Sequence, residues 1–142
     1  MVGTPYRRFS ARMDSMAEIR KFVENAGEAA GFKREESLKL LLIVEELFAN
    51  TVMHGYGVES DSPVWIALEP GAQGLTLSYE DEAAPHDPLS SFTPMKTSVL
   101  LNEQPLGGHG VRLIRKLATD LSYTRERNRN CIRLTFAPPP RE

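Results

Sequence analysis

Apolar residues recur along this chain with two periods, and the period changes where the element type should change. Met16, Ile19, Phe22, Val23, Ala26 and Ala30 follow a spacing of 3.6 and mark one face of a helix. Asp14 or Ser15 is placed to cap its start, and Gly31 to end it. A second helix is expected from Glu35 to about His54. Its middle, Leu38-Lys39-Leu40-Leu41-Leu42-Ile43-Val44, is apolar almost all round, which predicts burial against a sheet. Tyr6 to Ala11 reads as a first strand. Pro63 precedes the β-rich run Val64 to Leu68, and Gly71-Ala72-Gln73-Gly74 turns into Leu75 to Tyr79, so the two runs predict a hairpin.

Beyond the hairpin, residues 82–105 carry prolines and little periodicity and read as a long loop, a feature that is usually functional when it sits inside a compact domain. A third helix should begin near Gly108 and run through Val111, Leu113, Ile114 and Leu117. Two last strands, about Asp120 to Arg127 and Cys131 to Phe136, flank a turn at Asn128-Arg129-Asn130. Helices first, then strands with one inserted helix, predict an α+β two-layer sandwich with helices on one face of a mixed, largely antiparallel sheet. Residues 1–137 form one expected domain, and 138–142 a flexible Pro-rich tail.

Composition narrows the function classes. With 142 residues, 41% hydrophobic and 25% charged, the chain can bury a core without disulfides or structural metal. A net charge of −2 gives no electrostatic case for direct nucleic-acid binding or for an anionic membrane surface. Met1-Val2-Gly3-Thr4-Pro5-Tyr6-Arg7-Arg8 lacks the apolar stretch of a signal peptide. The longest apolar run, Leu40 to Val44, is too short to span a bilayer. A lone cysteine, Cys131, fits a reducing compartment, so a cytoplasmic location is expected.

Three segments carry candidate chemistry. In the first, Glu46, Asn50 and His54 recur every four residues and share one helix face. A carboxylate one turn from a carboxamide, at the end of an apolar helix, suits Mg²⁺ with a triphosphate, because magnesium takes one or two protein oxygens and completes its shell with phosphate and water. The Glu would then orient or deprotonate an attacking hydroxyl. The same three residues also suit the wet stripe of an amphipathic helix, and His54 near a helix end suits a cap. In the second segment, Glu80-Asp81-Glu82-Ala83-Ala84-Pro85-His86-Asp87-Pro88, an acid at a strand end can accept from an exocyclic amine such as adenine N6. Asp and Pro are also common where strands give way to loops. The third, Gly107-Gly108-His109-Gly110-Val111-Arg112-Leu113-Ile114, opens a helix with clustered glycines whose N–H groups can cradle an anion. It is neither a Walker A loop nor a good dinucleotide fingerprint.

Order and spacing resolve what each segment leaves open. Helical Glu-x-x-x-Asn, then a strand-end Asp, then Gly-Gly-x-Gly opening a helix, resembles the GHKL (Bergerat-fold) ATPases, and in detail their anti-sigma protein-serine kinases. Glu46-Leu47-Phe48-Ala49-Asn50 with His54-Gly55-Tyr56 is similar to that family's N box. Asp81 through Pro88 resembles its Asp-x-Gly-x-Pro-Phe-Asp-Pro box, and Gly107 through Ile114 its last nucleotide box. The resemblance runs from about Arg8 to Phe136. It implies ATP and Mg²⁺ as cofactors, with Asn50 on the metal, Glu46 as the base and Asp81 on adenine. Gly107, Gly108 and Gly110 would shape a phosphate lid, and Thr135 would reach adenine through water. It further implies phosphorylation of a serine on a STAS-domain anti-anti-sigma protein, sequestration of a sigma factor, and homodimers. Two departures stand out: Ala83 replaces the family's glycine and His86 its phenylalanine. If that glycine is needed at positive φ, alanine costs about 1–2 kcal/mol. These departures open a second reading, a binding-only anti-sigma module, and a third is the catalytic half of a sensor kinase. The latter fits less well, because none of His54, His86 and His109 reads as a phosphoacceptor.

Overall fold

The computed structural model describes residues 5–72, 74–86 and 114–137. Strand β1 (Arg7–Ser10) leads into helices α1 (Met16–Ala29) and α2 (Arg34–Asn50). Strands β2 (Pro63–Gly71), β3 (Gly74–Asp81), β4 (Ala118–Glu126) and β5 (Arg129–Phe136) follow. The sheet order is β1-β2-β3-β5-β4, and all four pairings are antiparallel.

Strand side chains alternate between the two faces, so one face collects Val64, Ile66, Leu68, Leu75, Leu77, Tyr79, Ile132, Leu134 and Phe136. Ile19 and Val23 from α1, with Leu40, Ile43, Val44, Leu47 and Phe48 from α2, pack on that face as one core. The fold is therefore α+β with two layers. Among the described residues, no helix is long and apolar enough to cross a membrane.

The expected elements return with local corrections. Ser15 sits at the N-cap of α1, but its hydroxyl donates to Ser10 O at 2.8 Å and caps nothing. Asp14 falls within a single 3₁₀ turn, Met13–Ser15. Gly31 does follow the end of α1, at φ +80°. At the start of α2 the Glu36 carboxylate accepts the Lys33 N–H at 3.0 Å, satisfying one orphan donor. The run Leu38 to Val44 is not buried all round: Leu38 and Leu42 are 48% and 46% exposed. A two-layer fold offers α2 one sheet to cover, so only one stripe of the helix is buried. The α-helix also stops at Asn50, and Thr51–Gly55 continues as a single π turn.

The last turn moves as well. Arg127 and Asn128 both have positive φ, 54° and 61°, as a two-residue type I′ hairpin requires. Arg129 and Asn130 are thus the first residues of β5 rather than part of the turn. The long loop from residue 87 onward and the expected start of the third helix lie outside the described residues. Residues 114–117 are helical, with Ile114 in the core.

One glycine is dictated by close approach. Gly74 has φ +121°, and a Cβ there would stand 1.8 Å from the Phe136 carbonyl oxygen. Gly74→Ala should therefore cost about 2–5 kcal/mol, from left-handed strain plus the clash with a backbone carbonyl. Gly71→Ala, whose Cβ would meet only Gly74 O at 3.8 Å, is the matched control. Urea midpoints read the difference, and equal midpoints for the two variants would refute it.

Candidate functional site

The site grows from the C-terminal end of α2. Glu46 and Asn50 lie one turn apart there, both half-buried. The Asn50 side chain makes no capping hydrogen bond. In the π turn that follows, the Tyr56 N–H donates to Thr51 O at 2.7 Å. A π turn adds one residue to the α spacing, and such turns cluster at functional sites. Here it keeps Thr51 and Val52 buried and leaves His54 exposed. The expected single face of Glu46, Asn50 and His54 is thus interrupted after Asn50.

Thr51 links this helix end to β3. Its hydroxyl donates to Asp81 Oδ2 at 2.8 Å and lies 2.7 Å from the Tyr79 hydroxyl, and both hydroxyls approach Leu47 O, at 3.0 and 3.1 Å. The carboxylate is the strongest acceptor present, so the single Thr51 proton goes to Asp81, and Tyr79 donates to Thr51 or to Leu47 O. Complete burial drives the Tyr79 phenol well above its usual range, and the Asp81 charge adds to the rise. Burial also raises Tyr56, whose hydroxyl donates to Pro63 O at 2.7 Å and accepts the Glu82 N–H at 2.8 Å. Both phenols therefore hold their protons at neutral pH.

Asp81 is 7% exposed, and its Oδ1 accepts from Asn130 Nδ2 at 2.8 Å and from the Ala83 N–H at 3.2 Å. Its neighbour Glu80 faces the other way, as strand alternation demands. On that outer face Glu80 pairs with Arg129 at 3.3 Å and Arg127 at 3.7 Å, while the Arg129 guanidinium stacks 3.6 Å from the Trp65 ring centre. The Tyr6 phenol, pushed up to about 12 by burial and then by Glu80, belongs to the same outer cluster.

The substitution at position 83 is accommodated. Among the described residues the non-glycine positive φ angles belong to Arg127 and Asn128, so Ala83 carries no left-handed strain. Ala83 is 4% exposed, and a Cβ placed on Gly55 would come within 2.9 Å of its methyl, so Gly55 supplies the room. His86 is exposed and uses its backbone N–H, donating to Asn130 Oδ1 at 3.1 Å.

Glu46, Asn50 and Asp81 are thus carried on two adjoining segments, but Thr135 is not brought to them. The β3–β5 register sets Thr135 opposite Thr76, with the two hydroxyls 3.5 Å apart, and sets Asn130 opposite Asp81. Positions 81 and 135 therefore differ both along the strand and in sheet face. Asn130 takes the place beside Asp81 instead. Sequence reading missed it because a three-residue turn absorbed it. The available signal was that asparagine is depleted in strands, so one buried at a strand start calls for a polar partner. Gly107, Gly108 and Gly110 lie outside the described residues. Among the described residues no group of three His, Cys, Asp or Glu could hold a metal ion. A divalent cation here would draw most of its ligands from phosphate and water, which is how Mg²⁺ prefers to bind, and the half-buried, uncapped Asn50 amide fits that donor set.

Comparison with known proteins bears on the family and the fold. Residues 9–136 match the family model described as the histidine kinase-like ATPase domain. The serine/threonine-protein kinase BtrW of Bordetella bronchiseptica is 31% identical over 101 residues, which is 71% of this chain and 70% of that protein. The histidine kinase AdeS of Acinetobacter baumannii superposes with a TM-score of 0.52 at 13% identity, over 98% of this chain and 70% of that one, a likeness of fold.

Proposed function

Because the chain belongs to the histidine kinase-like ATPase family, we propose that it is an ATP-dependent protein-serine kinase acting as an anti-sigma factor. Family membership implies nucleotide binding. The observation that carries the reading is the Thr51–Asp81 hydrogen bond of 2.8 Å, which seats a buried carboxylate directly beside the helix end bearing Glu46 and Asn50. Asp81 accepts a hydrogen bond from the adenine amine. Asn50 would hold Mg²⁺, whose charge, when bound, offsets that of the triphosphate. Glu46, one turn back, takes the proton of the attacking serine hydroxyl. Gly107, Gly108 and Gly110, which lie outside the described residues, keep the phosphate-lid role that the family resemblance implies. The similarity to BtrW, a serine/threonine-protein kinase, supports a serine or threonine hydroxyl as the acceptor.

The proposed partners follow from the family resemblance: a STAS-domain anti-anti-sigma protein as substrate and a sigma factor as the sequestered ligand, bound in competition by a cytoplasmic homodimer. A binding-only module would share these partners without turnover. Its case rests on Ala83 and His86. The absence of left-handed strain at Ala83 and the space left by Gly55 weigh against it.

Calorimetric titration with ATP and ADP, with and without Mg²⁺, tests the nucleotide site. Magnesium-dependent binding is expected, and Asn50→Ala should remove the dependence. A protein that ignores millimolar nucleotide would overturn the ATPase reading for this chain. Incubation with Mg-ATP and the STAS partner tests the kinase step, and a tight complex without phosphoserine would leave only the binding module.

A further inference from the structure

We propose that Asn130 is the positioning residue that sets base selectivity at this site, by locking Asp81 as an acceptor and fixing residues 83–86 beside it; this rests on the reading of Asp81 as the adenine partner. Asn130 is 4% exposed, and both ends of its carboxamide are occupied. Backbone groups decide which end is which. The His86 N–H can only donate, and it meets Oδ1 at 3.1 Å. The carbonyls of Ala83 and Ala84 can only accept, and they meet Nδ2 at 3.3 and 3.1 Å. The Tyr123 hydroxyl adds a second donor to Oδ1 at 2.6 Å. Turned over, the amide would set its oxygen against two carbonyls and a carboxylate, and its NH₂ against an N–H. Its orientation is therefore single-valued.

The consequence falls on Asp81. One Nδ2 proton points at Asp81 Oδ1, 2.8 Å away, and that oxygen also accepts the Ala83 N–H at 3.2 Å. Thr51 holds the other oxygen. Anchored on both sides, the carboxylate cannot rotate to meet a different base. Its remaining acceptor capacity on Oδ2 suits an amine such as the one adenine carries at position 6. Guanine presents a carbonyl oxygen there and would set acceptor against acceptor. A site with a fixed polar group rejects the mismatched analogue far better than an apolar pocket does. Arg125 strengthens the clamp from β4, donating to Ala83 O at 2.7 Å.

The test measures ATP and GTP affinity by calorimetry for the wild type, Asn130→Ala, Tyr123→Phe and Cys131→Ser, with a urea melt of each. The wild type should prefer ATP. Asn130→Ala should weaken ATP binding ~10- to 100-fold and lower the ATP/GTP ratio by about tenfold, since a bond to a charged acceptor is lost and Asp81 is released. Tyr123→Phe should move the ratio in the same direction by a smaller factor. Cys131→Ser, the next strand position and hence the opposite face, should keep the wild-type ratio. A merely structural role for Asn130 would weaken both nucleotides in proportion, and an unchanged ratio in Asn130→Ala overturns the proposal. If that variant does not fold, an unchanged ratio in Tyr123→Phe overturns it. A wild type that binds neither nucleotide removes the nucleotide reading and this inference together. A wild type that binds ATP, with variants that keep its selectivity, removes the inference alone.

Discussion

Asp81→Ala should both abolish measurable ATP binding and destabilise the fold by about 3–5 kcal/mol. The change strips the acceptor from three donors at once: the Thr51 hydroxyl, the Asn130 amide and the Ala83 N–H. A hydrogen bond to a charged acceptor contributes about 1.5–3 kcal/mol and three are lost, although Thr51 can turn to Leu47 O and the Asn130 amide keeps the Ala83 and Ala84 carbonyls. Asp81→Asn separates the two effects. It preserves shape and one carbonyl oxygen, so it should retain more of the stability than alanine does. Its NH₂ must nevertheless face either Thr51 or Asn130, and the acceptor offered to an adenine amine is weakened or lost. Urea unfolding and ATP titration on both variants check the claim. An Asp81→Asn protein with wild-type ATP affinity would remove Asp81 from the base-binding role, whatever its stability.

Glu46→Gln should behave in the opposite way, with chemistry lost and structure kept. Glu46 is half-buried on α2 rather than in the core, and glutamine is as good a helix former as glutamate, so the melt should hardly move. A general base contributes roughly 10²–10⁴-fold to rate, and a carboxamide cannot take the serine proton. Phosphoserine formation on the proposed STAS partner should therefore fall by about that factor, while ATP affinity stays within about threefold. Single-turnover transfer from labelled ATP measures the first and calorimetry the second. Transfer at the wild-type rate would rule Glu46 out as the base, and loss of ATP binding in the same variant would reassign it to holding the nucleotide. Asn50 and Glu46 then separate cleanly, one acting on magnesium-dependent affinity and the other on the chemical step.

How much of this was legible beforehand varies from residue to residue. The period of 3.6 in Met16 to Ala30 and the β-rich runs around Gly71–Gly74 are local signals, and α1, β2 and β3 lie where those signals put them. The α+β class followed from element order alone. Glu46 and Asn50 stood out because a carboxylate and a carboxamide are costly at the end of an apolar helix, whereas Asp81, a strand-end acid, drew its role from the resemblance. Other features were not local. Leu38 and Leu42 look like core until a single sheet layer is seen to cover only one stripe of α2. The break in the α2 face after Asn50 is a π turn, which no residue in Thr51 to Gly55 announces.

The sequence by itself determined the five strands, the two long helices and their order, because helix periodicity, strand alternation and glycine placement act over a few neighbouring positions. Tertiary structure decided what their residues face. A hairpin shorter by one residue turned Asn130 from a turn residue into the buried partner of Asp81. Register and strand alternation sent Thr135 to the far face, and Glu80 to the arginines rather than to the site. Register is set by pairing between distant segments, and one residue of slip reverses every side chain on a strand. Such a choice is made only when the whole sheet assembles.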